Sequence, residues 1–160
     1  MLQPNVKEPL MTFLKLFGGV VFAVTLSIFG TNVIAGGHGA ANSFGFTLIV
    51  PAEEVDRVER LLASHKKFME ETHSVTGDAD ARLNAYSVIK APEMVQFGDP
   101  SKGMTGNMIY ILSEHYETPN GLAKHLAAGS QWADIGEMQE LMYKYAAAVV
   151  MGTKVQAMNR

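Results

Sequence analysis

The sequence predicts an α+β domain in which one antiparallel sheet carries its helices on a single face. Two observations point there. Four segments show the β-branched and aromatic alternation of strands, and the stretches between them show three-and-four helical spacing. Read in order, the elements run β-α-β-β-α(α)-β. A further observation sets the domain's limit: the N-terminal part differs from the rest in composition.

Residues 16–35 carry no charge and are dominated by Leu, Val, Phe, Ile, Gly and Ala, with Lys7 and Lys15 ahead of them. Val33, Ile34 and Ala35 place short or small residues where a signal peptidase reads, and Gly36 follows. That order is the signature of a secretory leader over residues 1–35, with Met11 as an alternative start. The same uncharged stretch is long enough to anchor the chain uncleaved in a bilayer. The expected location is therefore periplasmic or secreted, or else tethered to the membrane by residues 16–35. Residues 36–43, small and flexible and including His38, read as a linker, and residues 44–160 as the domain.

Residues 44–50 form the first strand, closed by Pro51. Pro51, Glu53 and Glu54 open a helix that runs to about His73, since Pro fits the first turn and acids suit the positive end of the helix dipole. Val55, Val58, Leu61, Leu62, His65, Phe68, Met69 and Thr72 share one face of it, and most of the charges lie opposite. Glu71, Thr72 and His73 read as solvated at its end. Residues 82–90 and 107–117 alternate as strands, and the two prolines and the glycines of residues 91–106 predict a long exposed loop, with residues 98–106 as a flap. Thr118-Pro119 caps a short helix to about Ala128. Residues 131–147 predict a longer helix, and residues 149–158 a closing strand. This order is the split βαβ pattern of ferredoxin-like folds.

From Gly36 onward there are 125 residues, with 11 Lys and Arg against 15 Asp and Glu. A mildly acidic domain lacks the clustered cations that displace counterions from nucleic acid, so no such partner is expected. There is no cysteine and hence no disulfide framework, and the ten methionines fall mostly at core spacings.

The strands are apolar on both faces. Met108, Tyr110, Leu112 and Tyr116 alternate with Ile109, Ile111, Ser113 and His115, and Phe44, Phe46, Leu48 and Val50 alternate with Gly45, Thr47 and Ile49. A sheet with one wet face shows polar residues at every second position instead. A second copy of the same sheet is the simplest cover, which predicts a two-fold homodimer.

The layout, and above all residues 110–125 (YILSEHYETPNGLAKH), resembles the dimeric α+β barrel superfamily, in particular its antibiotic-biosynthesis-monooxygenase-like domains. The resemblance spans about residues 44–158. It rests on a strand ending in an acid and an aromatic (Glu114, Tyr116), a polar turn (Thr118-Pro119) and a helix carrying an inward His (His125). It implies a dimeric barrel and, for an enzyme, cofactor-independent oxidation. The haem-degrading branch is disfavoured residue by residue: its first-strand Asn position holds Thr47, its Trp position holds His125, its His position holds Ile135, and the single Trp132 is displaced.

His65 and His125 both lie on apolar helix faces and are the acid/base candidates, because neutral imidazole is a suitable proton shuttle. The plainer alternative for each is a core histidine satisfied by one hydrogen bond. Tyr86, Tyr110, Tyr116 and Trp132 are candidates for lining a pocket for a small aromatic or enolisable ligand, and Asn84 for polarising its carbonyl. Ordinary core and interface roles are the alternatives. No metal is expected: Glu70 and His73 supply half of a di-iron pattern, and no HExxH or Cys pair occurs. No cofactor is expected either. A non-catalytic ligand-binding or interaction module of the same fold stands as the second reading of the chain.

Overall fold

The computed structural model describes residues 41–74 and 81–156. The expected leader or anchor, most of the linker and residues 157–158 of the expected closing strand lie outside these, and that strand ends earlier than expected, at Gly152. The described chain is α+β, an open antiparallel four-stranded sheet with three helices. The strands are β1 (Ser43–Val50), β2 (Leu83–Met94), β3 (Met104–Tyr116) and β4 (Ala146–Gly152), and the helices are α1 (Val55–Thr72), α2 (Pro119–Gly129) and α3 (Ile135–Tyr145). In the sheet they lie in the order β2-β3-β1-β4.

The alternation decides which face the helices cover. Phe46, Leu48 and Val50 on β1 and Tyr110, Leu112 and Tyr116 on β3 are buried in one cluster with Val58, Leu61, Phe68, Leu122, Met138 and Leu141 from the helices. The antiparallel register Leu48↔Tyr110 and Phe46↔Leu112 brings these side chains to the same side. Arg57 bridges α1 to α3 by bonds to Glu137 (2.7 Å) and Glu140 (3.0 Å) at the rim. Among the described residues no helix is long and apolar enough to cross a membrane.

Four other boundaries differ from expectation, most of them for a tertiary reason. The long loop is shorter, because β2 continues to Met94 and β3 begins at Met104, leaving a tip with one 3-10 turn at Pro100–Lys102. Pro92 lies within the strand, paired with Met108. β2 is an edge strand, where a missing amide donor goes unnoticed. The closing strand starts at Ala146 directly after α3, so the Ala146–Ala148 run, a good helix former, is taken instead into pairing with Leu48 and Thr47. The third helix starts at Ile135 rather than Gln131. At the N-terminal end Asn42 and Ser43 are not linker: Asn42 donates to the Gly152 carbonyl and accepts from the Tyr116 amide.

Among the described residues no helix lies over the opposite face of the sheet. There Ile89 is 58% exposed, Ile111 41% and Val150 59%. An open concavity of about 290 Å³ runs along it, lined by Gly45, Thr47, Ser113, His115, Val150 and Lys154 among others. Gly45 is required in this strand, since a Cβ there would meet the Leu112 carbonyl oxygen at 2.8 Å.

Candidate functional site: a buried His–Glu–His centre

Alternation places Glu114 on the helix side of β3, between Leu112 and Tyr116, and it is fully buried. A carboxylate at that depth is costly unless it is paired. The Tyr116 hydroxyl donates to Oε2 at 2.6 Å, while Oε1 has no hydrogen-bond partner among the described residues.

Two helices aim imidazoles at it. His65 sits on the inner face of α1, with Nε2 3.6 Å from Glu114 Oε1. His125 sits on the inner face of α2, with Nε2 3.4 Å from Glu114 Oε2. Thr118 positions α2, its hydroxyl accepting from the Gly121 amide at 3.1 Å with Pro119 following. The two imidazole rings stand perpendicular with centroids 6.0 Å apart. Trp132 packs edge-on against His65 at 5.4 Å and stacks on Phe68 at 5.9 Å, and Phe68 and Tyr116 flank His125.

The outer ring nitrogens are held as well. His65 Nδ1 lies 3.2 Å from the Tyr86 hydroxyl. His125 Nδ1 lies 3.1 Å from His73 Nε2, and His73 Nδ1 lies 2.8 Å from Thr72 Oγ1, whose hydroxyl in turn donates to the Phe68 carbonyl at 2.6 Å. This relay settles a tautomer by counting donors. A carbonyl only accepts, so the single Thr72 hydrogen is committed to it. His73 Nδ1 must then donate to Thr72, which leaves Nε2 of neutral His73 as an acceptor. His125 Nδ1 must donate to that, which leaves the Nε2 lone pair of neutral His125 facing Glu114.

The electrostatics agree with neutral rings. Burial holds His65 down to about 4 and His125 down to about 3, and the nearby imidazoles add to both shifts. Burial also lowers His73. Burial pushes Glu114 up to about 7, opposed by the Tyr116 hydrogen bond. The Tyr86 and Tyr116 hydroxyls are pushed up by burial and by the neighbouring carboxylate. Near neutral pH the centre thus contains two neutral imidazoles and a carboxyl group poised to gain or lose a proton.

Of the residues singled out from the sequence, His65, His125, Tyr86, Tyr116 and Trp132 come together here. Tyr110 does not: it is buried further along β3 and donates to Glu59 at 2.9 Å, beside the Glu59–Lys90 pair. Asn84 is exposed at a bulge where β2 and β3 shift register, away from the centre. Two participants were missed. His73, read as solvated, is half-buried and holds His125. Glu114 enters the sequence reading only through the resemblance, although its inward parity between Leu112 and Tyr116 marks it as an acid inside a core. No HExxH-like pattern could reveal the cluster, because its donors come from α1, β3 and α2.

Comparison with known proteins returned no matching family, no similar curated protein and no similar solved structure.

Proposed function

We propose that this chain is a homodimeric small-molecule-binding protein of the dimeric α+β barrel type, with its chemistry at the His65–Glu114–His125 centre. The observation that carries the reading is the buried Glu114 carboxylate with one oxygen unpartnered, facing two neutral imidazoles. Stability alone disfavours such an arrangement, since an apolar side chain of similar size is neutral or better in a core. Aromatic groups surround it, which suits a planar aromatic or enolisable ligand, with His65 and His125 as acid/base groups and Tyr86 and Trp132 as its neighbours.

The element order and the β2-β3-β1-β4 arrangement support the ferredoxin-like reading. The dimer is supported by the uncovered face bearing Ile89, Ile111 and Val150, and by the β2–β3 tip, where Met94, Val95, Phe97 and Met104 are all exposed. Covering that face with a second sheet removes apolar surface from water at about 25 cal/mol per Å². Export through the N-terminal segment belongs to the same proposal.

Native mass spectrometry of the chain purified from its own host tests the reading. The expected spectrum is a dimer retaining a small molecule, and Glu114→Gln or His125→Ala keeps the dimer and loses that molecule. A monomer at high concentration ends the dimeric reading, and equal retention by both variants ends the site assignment. Retention of the molecule by the unaltered chain with no conversion of it on incubation favours the binding-module alternative.

A further inference from the structure

We propose that His65, Glu114 and His125 bind one divalent first-row transition-metal ion, of the zinc or ferrous type, through His65 Nε2, a Glu114 carboxylate oxygen and His125 Nε2. The inference rests on the reading that this buried centre, and not the open sheet face, carries the chemistry. It replaces the cofactor-free form of that reading with a metal-assisted one.

The relay from the Phe68 carbonyl through Thr72 and His73 leaves an imidazole lone pair on His125 Nε2 pointing at a carboxylate oxygen 3.4 Å away. That oxygen already accepts from Tyr116. Two electron-rich atoms facing each other inside a core repel unless a positive charge lies between them. A proton is a poor fit, because hydrogen bonds close to about 2.7–3.2 Å and these gaps are 3.4 and 3.6 Å. A metal ion fits better. With metal–ligand bonds of about 2.0–2.1 Å, donors on one ion stand about 3.4 Å apart. Each histidine–carboxylate gap is of that order, and because His65 faces Oε1 and His125 faces Oε2, the carboxylate would hold the ion with both oxygens or after a small turn about its Cγ–Cδ bond. One donor atom from each of the three residues lies within 4.8 Å of the other two.

The donor types and their surroundings agree. Two imidazoles and one carboxylate suit zinc or non-haem iron and leave further positions for water or a ligand. Metal-bound histidines characteristically have the other ring nitrogen held by a second group. Here Tyr86 holds His65, His73 holds His125, and Tyr116 holds the carboxylate. All three donors are buried and come from α1, β3 and α2, three elements packed in one core.

The test uses the full chain, stripped with chelator and titrated with Co(II) as a visible-absorption probe, then challenged with Zn(II). The expected result is uptake of one Co(II) per chain, with the intense d–d bands of a four- or five-coordinate ion, displaced by Zn(II). Glu114→Gln and His125→Ala weaken Co(II) binding by more than about 100-fold, and His73→Ala weakens it by about 10–100-fold. His115→Ala, on the open face, leaves it unchanged. Near-UV circular dichroism of Glu114→Gln confirms that loss of the ion is not loss of the fold. Substoichiometric, colourless uptake overturns the proposal, as does Co(II) binding that Glu114→Gln leaves intact. Retention of the host-derived small molecule without any Co(II) uptake overturns the metal assignment alone and leaves the site assignment standing.

Discussion

The two faces of one sheet differ more than any two elements of this chain. Alternate residues of the same strand, β3, supply both: Tyr110, Leu112, Glu114 and Tyr116 face the helices, and Ile109, Ile111, Ser113 and His115 face away. Each face carries histidine, yet the environments diverge. His65 and His125 are enclosed with a carboxylate, and each is held at Nδ1 by a further side chain. His115 lies 2.9 Å from Ser43 Oγ and 3.4 Å from Ser113 Oγ along an open concavity. The difference teaches that the covered face has already placed its polar groups, while the open face still exposes apolar surface.

The strongest way to break the covered face is a cavity beneath it. Leu61→Ala removes a fully buried side chain between α1 and the sheet and should cost about 2–5 kcal/mol, read from urea unfolding. The same truncation at exposed Ile89 should cost far less in a dilute monomer.

Next comes the charge under the helices. The pKa of Glu114 is raised by burial to about 7 in the folded chain, against 4.5 for its ordinary value. Its contribution is therefore fully present below pH 4.5 and is lost as pH rises through about 7. Glu114→Gln should make the metal-free chain more stable at pH 8 by about 3 kcal/mol, with little gain at pH 4.5. An advantage that does not grow with pH would show that Glu114 is already paired.

The open face is probed by Ile111→Asp. A two-fold interface would bring two carboxylates together, and the dimer dissociation constant should rise by about 100-fold or more in sedimentation equilibrium, with the circular dichroism of the monomer unchanged. An unaltered constant would mean that the partner lies elsewhere.

The smallest effect sharpens the covered face. Thr118→Ala removes the cap of α2, the helix that carries His125, and should lower stability by about 1 kcal/mol in the same urea assay.

Much of this was legible in the chain itself. The face of α1 from Val58 to Met69, the cap at Thr118-Pro119 and the double apolar character of β1 and β3 depend on local spacing, and local spacing is what a sequence displays. The inward aim of His65 and His125 followed from their neighbours at three and four positions. What failed did so where distant partners outweighed local preference. Pro92 is tolerated because β2 has an edge, Ala146–Ala148 extends because β1 is there to pair with it, and Thr72 and His73 are drawn into a relay because α2 delivers His125 beside them.

By itself, then, the sequence determined the kind and order of the elements and which side chains each would turn inward, since backbone periodicity links every residue to a face. The meeting of Glu114 with two histidines separated from it by 49 and 11 positions was decided only by tertiary structure. Sheet register and helix placement set the distances between their nitrogen and oxygen atoms, and neither leaves a mark in the spacing of residues along the chain.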